Sequence, residues 1–442
     1  MKVGFISLGC AKNQVNCEQM IWKTYEAGYE VALGAEDCDV AVVNTCGFLQ
    51  EAREEALAEI DALAQAKAQG KLQKILVTGC MAQWWKDEIQ ARCPQADGFV
   101  GVSGYEDIAQ VIAQALEDQH PAHFGDIDAP VPETDRVVCT SDYWAWLRIA
   151  EGCDNRCAYC IIPFIRGKFR SRPEEAILAE AQDLAQAGMQ ELVAQDITRY
   201  GLVLYGARTL AKLLPKLCAI EGIHWVRLHY LYPDEITDEL IDVIANEPKI
   251  VKYLDIPIQH ASDRILRRMG RRTNQAQLRE MIAKLRPEIP DIALRTTLIS
   301  GFPGETQEDH EELMTFVDEM EFERLGVFAY SAEEDTPAYS FPDQVPQEVK
   351  EERRDEIMQL QQEIAFEKSE DMVGRVLTVL IEGKVVDEPA YVGRTYMDAP
   401  GVDGLIFVNA DVELMSGDFV RVRVTGSAEY DLIGEIYDES AQ

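Results

Sequence analysis

The stretch Glu151-Gly-Cys153-Asp-Asn-Arg-Cys157-Ala-Tyr-Cys160 holds three cysteines at C-x3-C-x2-C spacing. Thiolates hold iron–sulfur clusters, and a four-iron cubane normally takes four of them. Three set this close point to a cubane with one iron left for a ligand that is not protein. The competing readings are a zinc knuckle and buried core thiols. Zinc needs a fourth ligand, and none of the dozen residues after Cys160 is His or Cys.

A second set is dispersed. Cys10, Cys46 and Cys80 each stand just past a short apolar run, at residues 3–8, 40–44 and 75–78. Helical patterns at 14–27 and 48–68, and a third segment at 81–92, separate these runs. Strands alternating with helices predict a parallel α/β sheet. Ligand sites in such sheets lie at the carboxyl ends of the strands, so three thiols distant in sequence can meet there. Chance placement of a residue that is commonly buried is the competing reading. Cys17, Cys38 and Cys93 lack the strand-end placement and read as structural. Cys17 is the open case, since seven residues make two helical turns from Cys10.

Stepping outward, 442 residues accommodate two to four domains. A net charge of −36 repels phosphate backbones unless a local basic patch overrides it. Eleven cysteines without a secretory leader fit a reducing compartment and metal chemistry better than a disulfide scaffold. No apolar run approaches the ~18 residues of a membrane span. The expected location is the cytoplasm, with no membrane association.

The elements that position the cysteines fall into five segments. Residues 1–120 form the N-terminal α/β domain, and 121–142, rich in Pro, Asp and Thr, read as a linker. Residues 143–346 carry six strand–helix units, with strands at 146–150, 191–194, 224–229, 253–258, 293–299 and 325–329. Six units predict a partial (β/α)6 barrel, with its chemistry at the C-terminal strand ends. Polar residues stand there: Gln195-Asp196, His229-Tyr230, Gln259-His260, Ser300-Gly301 and Tyr330-Ser331. In 297–305 the glycines, Gly301 among them, permit close approach of backbone to a ligand. The basic run Arg166-Gly-Lys-Phe-Arg-Ser-Arg172 is either a solvated face or a contact to an anionic cluster. Residues 347–370 predict one connecting helix. Residues 371–442 carry five short β runs and predict a small closed antiparallel barrel of the oligonucleotide-binding kind.

Taken together, these segments resemble the methylthiotransferases, a branch of the radical S-adenosylmethionine (SAM) enzymes whose C-terminal barrel is called TRAM. The resemblance covers essentially the whole chain. It implies two 4Fe–4S clusters, one on Cys10, Cys46 and Cys80 and one on Cys153, Cys157 and Cys160. The second would cleave SAM reductively to a 5′-deoxyadenosyl radical that abstracts a hydrogen atom. The first would carry the sulfur that a second SAM methylates. Position assigns Tyr159, Arg166, Gln195 and Gly301 to SAM. An electron donor such as flavodoxin is implied. Cys17 departs from the family's opening motif, where serine is expected.

Two branches of that family differ in substrate. The stretches at 149–154, 161–167, 230–233, 255–262, 325–331 and 396–400 resemble the branch that modifies the β-carbon of an aspartate in small-subunit ribosomal protein S-twelve. The other branch modifies isopentenyladenosine in tRNA. Charge favours the protein substrate. From Asp371 onward five basic residues (Arg375, Lys384, Arg394, Arg421, Arg423) face fourteen acidic ones, whereas tRNA requires a basic face. A non-catalytic iron–sulfur scaffold that binds the ribosome or senses redox state is the alternative outside enzymology.

Overall fold

The computed structural model describes residues 1–195 and 197–437, the side chain of Gln195 excepted. The chain divides into two compact units. The first comprises Met1–Ser141, Arg148–Glu180 and Ser331–Ser340, and the second Asp142–Leu147, Ala181–Tyr330 and Phe341–Gln442.

In the first unit a six-stranded sheet contains β1 (Lys2–Ser7), β2 (Glu30–Leu33), β3 (Val40–Thr45), β4 (Lys74–Gly79), β5 (Gly98–Val100) and β6 (Ala122–His123). The order is β2-β1-β3-β4-β5-β6, and every pair is parallel. All six residues of β3 are buried, as a central strand covered on both faces requires. Side chains alternate between those faces. Val40 and Val42 pack with Cys17, Met20 and Ile21 of the helix Ala11–Glu26. Ala41 and Val43 pack with Ala56, Ile60 and Leu63 of the helix Gln50–Ala68. Strand order reverses beside β1, because the chain first adds β2 on one side and then β3 on the other. The crevice between β1 and β3 is thus the topological switch point, where open α/β sheets bind ligands. The strands β2, β5 and β6 were not expected. They span two to four residues, too short for a period to register, and β6 lies in the segment read as a linker.

After β7 (Trp144–Arg148), a two-stranded antiparallel ladder of β8 (Ala150–Glu151) and β9 (Arg170–Ser171) brackets the three-cysteine loop at its base.

The second unit holds a six-stranded sheet with β7 at one edge. Its further strands are β10 (Glu191–Gln195), β11 (Trp225–His229), β12 (Ile250–Asp255), β13 (Ala293–Ser300) and β14 (Arg324–Ala329). The pairs from β10 to β14 are parallel and follow chain order, the predicted partial barrel. The 24-residue helix Gln347–Glu370 follows in sequence. It precedes a closed barrel of β15 (Val376–Lys384), β16 (Ala390–Arg394), β17 (Ile406–Asn409), β18 (Phe419–Ala428) and β19 (Asp431–Ile436). The barrel is not wholly antiparallel as expected, because β17 and β19 pair in parallel. Strand β18 follows β17 in sequence yet pairs with β15 and β19, so β19 returns beside β17 in the same direction.

Candidate iron–sulfur centres

The N-terminal thiols stand at three adjoining strand ends. Cys10 caps the helix Ala11–Glu26, Cys46 follows β3, and Cys80 follows β4. The loops touch. A side chain at Gly9 (φ +96°) would stand 2.8 Å from the Cys46 Cβ, and one at Gly47 would stand 2.9 Å from the Cys80 carbonyl carbon. Asn13 stitches them further. Its Nδ2 donates to the Leu8 carbonyl at 3.1 Å and to the Thr45 carbonyl at 2.8 Å, and its Oδ1 accepts from the Cys80 thiol at 3.3 Å. Cys10 is exposed, Cys46 half-buried and Cys80 buried, so the trio opens to one side. Burial lifts the Cys80 thiol to about 11 and raises that of Cys46. A metal that binds the deprotonated forms removes this burden.

The central loop is closed by the Cys153 amide, which donates to the Gly167 carbonyl at 3.0 Å. Cys157 is buried, while Cys153 and Cys160 are half-buried. Tyr159 is half-buried in the turn that precedes Cys160. The Ala158 carbonyl accepts from the Ala338 amide at 2.9 Å. Past the last cysteine, Ile161 and Ile165 pack on Cys80 together with Phe48 and Trp84. The segment that follows Cys160 in sequence therefore packs on a thiol of the other set.

Beside this packing lies a buried ionic cluster. The Arg166 guanidinium donates to Glu151 Oε2 at 2.9 Å, to Asn13 Oδ1 at 2.6 Å and to Asn16 Oδ1 at 3.2 Å, so it shares the Asn13 oxygen with the Cys80 thiol. Glu151 also meets Lys12 at 3.3 Å and Arg148 at 3.5 Å, and its Oε1 accepts from the Gly152 amide at 2.9 Å. Burial alone would raise the Glu151 carboxyl. Arg166, Lys12 and Arg148 together outweigh it and hold the group far below the ordinary carboxylate range. The basic run is accordingly not a solvated face. Arg166 and Arg172 are 2% and 6% exposed, and Arg172 is clasped by Glu133 and Glu180. Lys168 alone in that run is well exposed.

A second brace holds the Cys46 turn. Arg53 donates to the Gly47 carbonyl at 3.2 Å, lies over the Trp84 ring at 4.8 Å and pairs with Glu333 at 2.8 Å. Glu333 Oε1 also accepts from the Gln50 amide at 3.0 Å and from the Ser331 hydroxyl at 2.6 Å. Sequence reasoning missed Asn13, Lys12, Glu151, Arg53 and Glu333 as supports. The signal available for the first two was polarity in the first turn of a largely buried helix. Glu333 left none, since its partner stands 280 residues away.

The remaining candidates lie in the second unit. Gln195 ends β10 in register with His229, its side chain and the whole of Asp196 falling outside the described residues. Gly301 has φ +68°, and a Cβ there would stand 2.3 Å from Lys350 Cγ. Helix packing therefore accounts for this glycine. The Gly301 and Phe302 amides donate to Glu305 Oε2, which His260 also approaches, while Arg353 pairs with Oε1. Tyr230 and Gln259, just past their strands, hold positive φ of 61° and 73°. Such strain gathers at functional sites.

The donor set suits iron–sulfur clusters. Each trio consists of thiols alone, with amides and a guanidinium nearby to meet negative charge. Among the described residues, no group of three or more His, Cys, Asp and Glu side chains is disposed to hold a single metal ion. A cubane places each thiolate on a different iron, so its ligands stand farther apart than those around one ion.

Comparison with known proteins agrees with this layout. Residues 2–101 match Uncharacterized protein family UPF0004, 147–317 the Radical SAM superfamily, and 373–436 the TRAM domain. The chain is 54% identical to the ribosomal protein uS12 methylthiotransferase RimO of Lachnoclostridium phytofermentans, over 98% of this chain and 99% of that one. Against the proteins of that name from Acetivibrio thermocellus and Geobacter sulfurreducens it is 47% and 46% identical. The coverage is 100% and 98% of this chain, and 99% and 98% of theirs. The radical SAM methyltransferase TsrM of Kitasatospora setae, solved with tryptophan and a SAM analogue, aligns with a TM-score of 0.54 at 13% identity. The alignment covers 76% of this chain and 74% of that one, a likeness of fold.

Proposed function

The chain belongs to the RimO family of ribosomal protein uS12 methylthiotransferases, and from that premise we propose that it adds a methylthio group to the β-carbon of an aspartate in uS12. One observation carries the reading: two three-thiol sets lie in one unit, and Ile161, which follows Cys160 directly, packs on Cys80 of the other set. When bound, the cluster on Cys153, Cys157 and Cys160 supplies reductive cleavage of SAM, and the one on Cys10, Cys46 and Cys80 supplies the sulfur. No side-chain base removes an unactivated C–H hydrogen, so this chain's own residues hold and orient. Asn13 fixes the first loop against β1 and β3, and Arg53 fixes the Cys46 turn. The β8–β9 ladder fixes the base of the central loop. Tyr159, within the three-cysteine loop, is read as a SAM contact, with a donor such as flavodoxin supplying electrons and the cytoplasm as the place of action. Among the described residues no helix is long and apolar enough to cross a membrane.

The barrel supports a protein substrate. Of its five basic residues Arg394 is fully buried between Glu191 and Glu382, and Arg375 pairs with Asp291. Few cations remain to neutralise phosphates, whereas an acidic surface steers a basic ribosomal protein. Mass spectrometry of uS12 and of tRNA from a strain lacking this gene tests the choice. Loss of the methylthio group from uS12 is expected. Loss of a methylthioadenosine with uS12 unchanged would overturn it.

A further inference from the structure

We propose that Arg166 is a positioning residue for the N-terminal cluster: its guanidinium, held by Glu151 and Asn13 on the amide oxygen that the Cys80 thiol also uses, stands beside that sulfur and raises the cluster's reduction potential. The inference rests on the reading of Cys10, Cys46 and Cys80 as cluster ligands. Four observations place Arg166 on that side. Its hydrogen bonds go to Asn13 and Asn16 of the helix that Cys10 caps, and to Glu151. Ile165, the residue before it, packs on Cys80. Arg166 is 2% exposed, so water does not screen it. Asn13, which receives it, also receives the Cys80 thiol, so guanidinium and sulfur converge on one amide oxygen.

Cluster binding replaces the Cys80 S–H with a thiolate, which has no proton to donate to Asn13. Arg166, already on the same Asn13 oxygen, is then a buried donor beside that sulfur. A cation hydrogen-bonded to a ligand sulfur favours the more negative, reduced state. Glu151, 2.9 Å behind Arg166, works against it. The two residues therefore act on the cluster with opposite signs. The same pair ties the loops mechanically, since Glu151 precedes Cys153 by two residues and the Gly167 carbonyl receives the Cys153 amide.

The test uses the full chain with Cys153→Ala, Cys157→Ala and Cys160→Ala combined, reconstituted anaerobically so that only the N-terminal cluster loads. Dithionite titration with mediators, followed by electron paramagnetic resonance, gives the midpoint potential. Arg166→Gln should lower it, Arg166→Lys should restore most of the loss, and Glu151→Gln should raise it. Opposite shifts are what a merely structural role does not produce. Shifts of one sign, or none, in protein that retains its iron would overturn the proposal. Should Arg166→Gln not load iron, Glu151→Gln decides: an upward shift supports the proposal, and no shift or a downward one refutes it. Failure of the parent variant to bind iron at all would instead refute the ligand reading on which the proposal rests.

Discussion

Replacing Glu333 with alanine tests whether the brace on the Cys46 turn is structural support for a cluster ligand. The pair it breaks is buried: Arg53 and Glu333 are 9% and 3% exposed and 2.8 Å apart. At an effective dielectric of ~20 their attraction is about 6 kcal/mol. Desolvation of the two ions offsets most of that in the intact pair. The variant keeps the desolvation of Arg53 and loses the attraction, a situation that costs about 3–5 kcal/mol. Arg53 retains the Gly47 carbonyl and the Trp84 face, which favours the lower end, about 3 kcal/mol. Urea unfolding of the anaerobically purified protein measures the loss, and iron content of the N-terminal cluster should fall with it. The double variant Arg53→Met/Glu333→Leu should recover most of the stability, because no buried charge is left unpaired. A loss below about 1 kcal/mol for Glu333→Ala, or a double variant no more stable than the single one, would refute the reasoning.

Two further outcomes follow from buried groups. Burial, with Arg227 and Arg295 nearby, pushes His229 down to about 3 from its ordinary 6.5. The native state therefore refuses a proton that the unfolded chain accepts. The stability is complete above pH 6.5 and erodes as pH falls towards 3. Between pH 7 and pH 5 this amounts to about 2 kcal/mol. His229→Phe, which keeps the ring stacked on Tyr253, should flatten the urea midpoint over that range by this amount; an unchanged pH dependence would count against it. Cys17 packs with Val3, Phe5 and Met20, and burial lifts its thiol to about 12. Cys17→Ala should cost about 1–2 kcal/mol and leave the iron content intact, whereas loss of iron would make it a ligand.

Much of this molecule is legible from local pattern. Val40–Thr45 reads as a buried parallel strand because four consecutive apolar residues follow one another between helices, and Cys46 stands immediately past it. The five barrel strands are legible for the same reason. The strand Ala122–His123 is not, since two residues carry no period. Arg166 shows a different limit. Its position in a basic run suggested either solvent or SAM, while the fold turns it inward onto Asn13, more than 150 residues earlier. Gly301 is similar, because its need for a glycine comes from Lys350, a neighbour that only tertiary packing supplies. Local sequence reports what a residue is able to do, and which partner it meets is decided by chain closure over long separations.

The central claim is a division of labour between two thiol sets, and Cys46→Ala tests it most directly. Reconstituted with iron, sulfide, SAM and a reductant, this variant should still release 5′-deoxyadenosine, because Cys153, Cys157 and Cys160 are untouched. Mass spectrometry should find uS12 without the methylthio group. Methylthiolated uS12 from the Cys46→Ala protein would contradict the account.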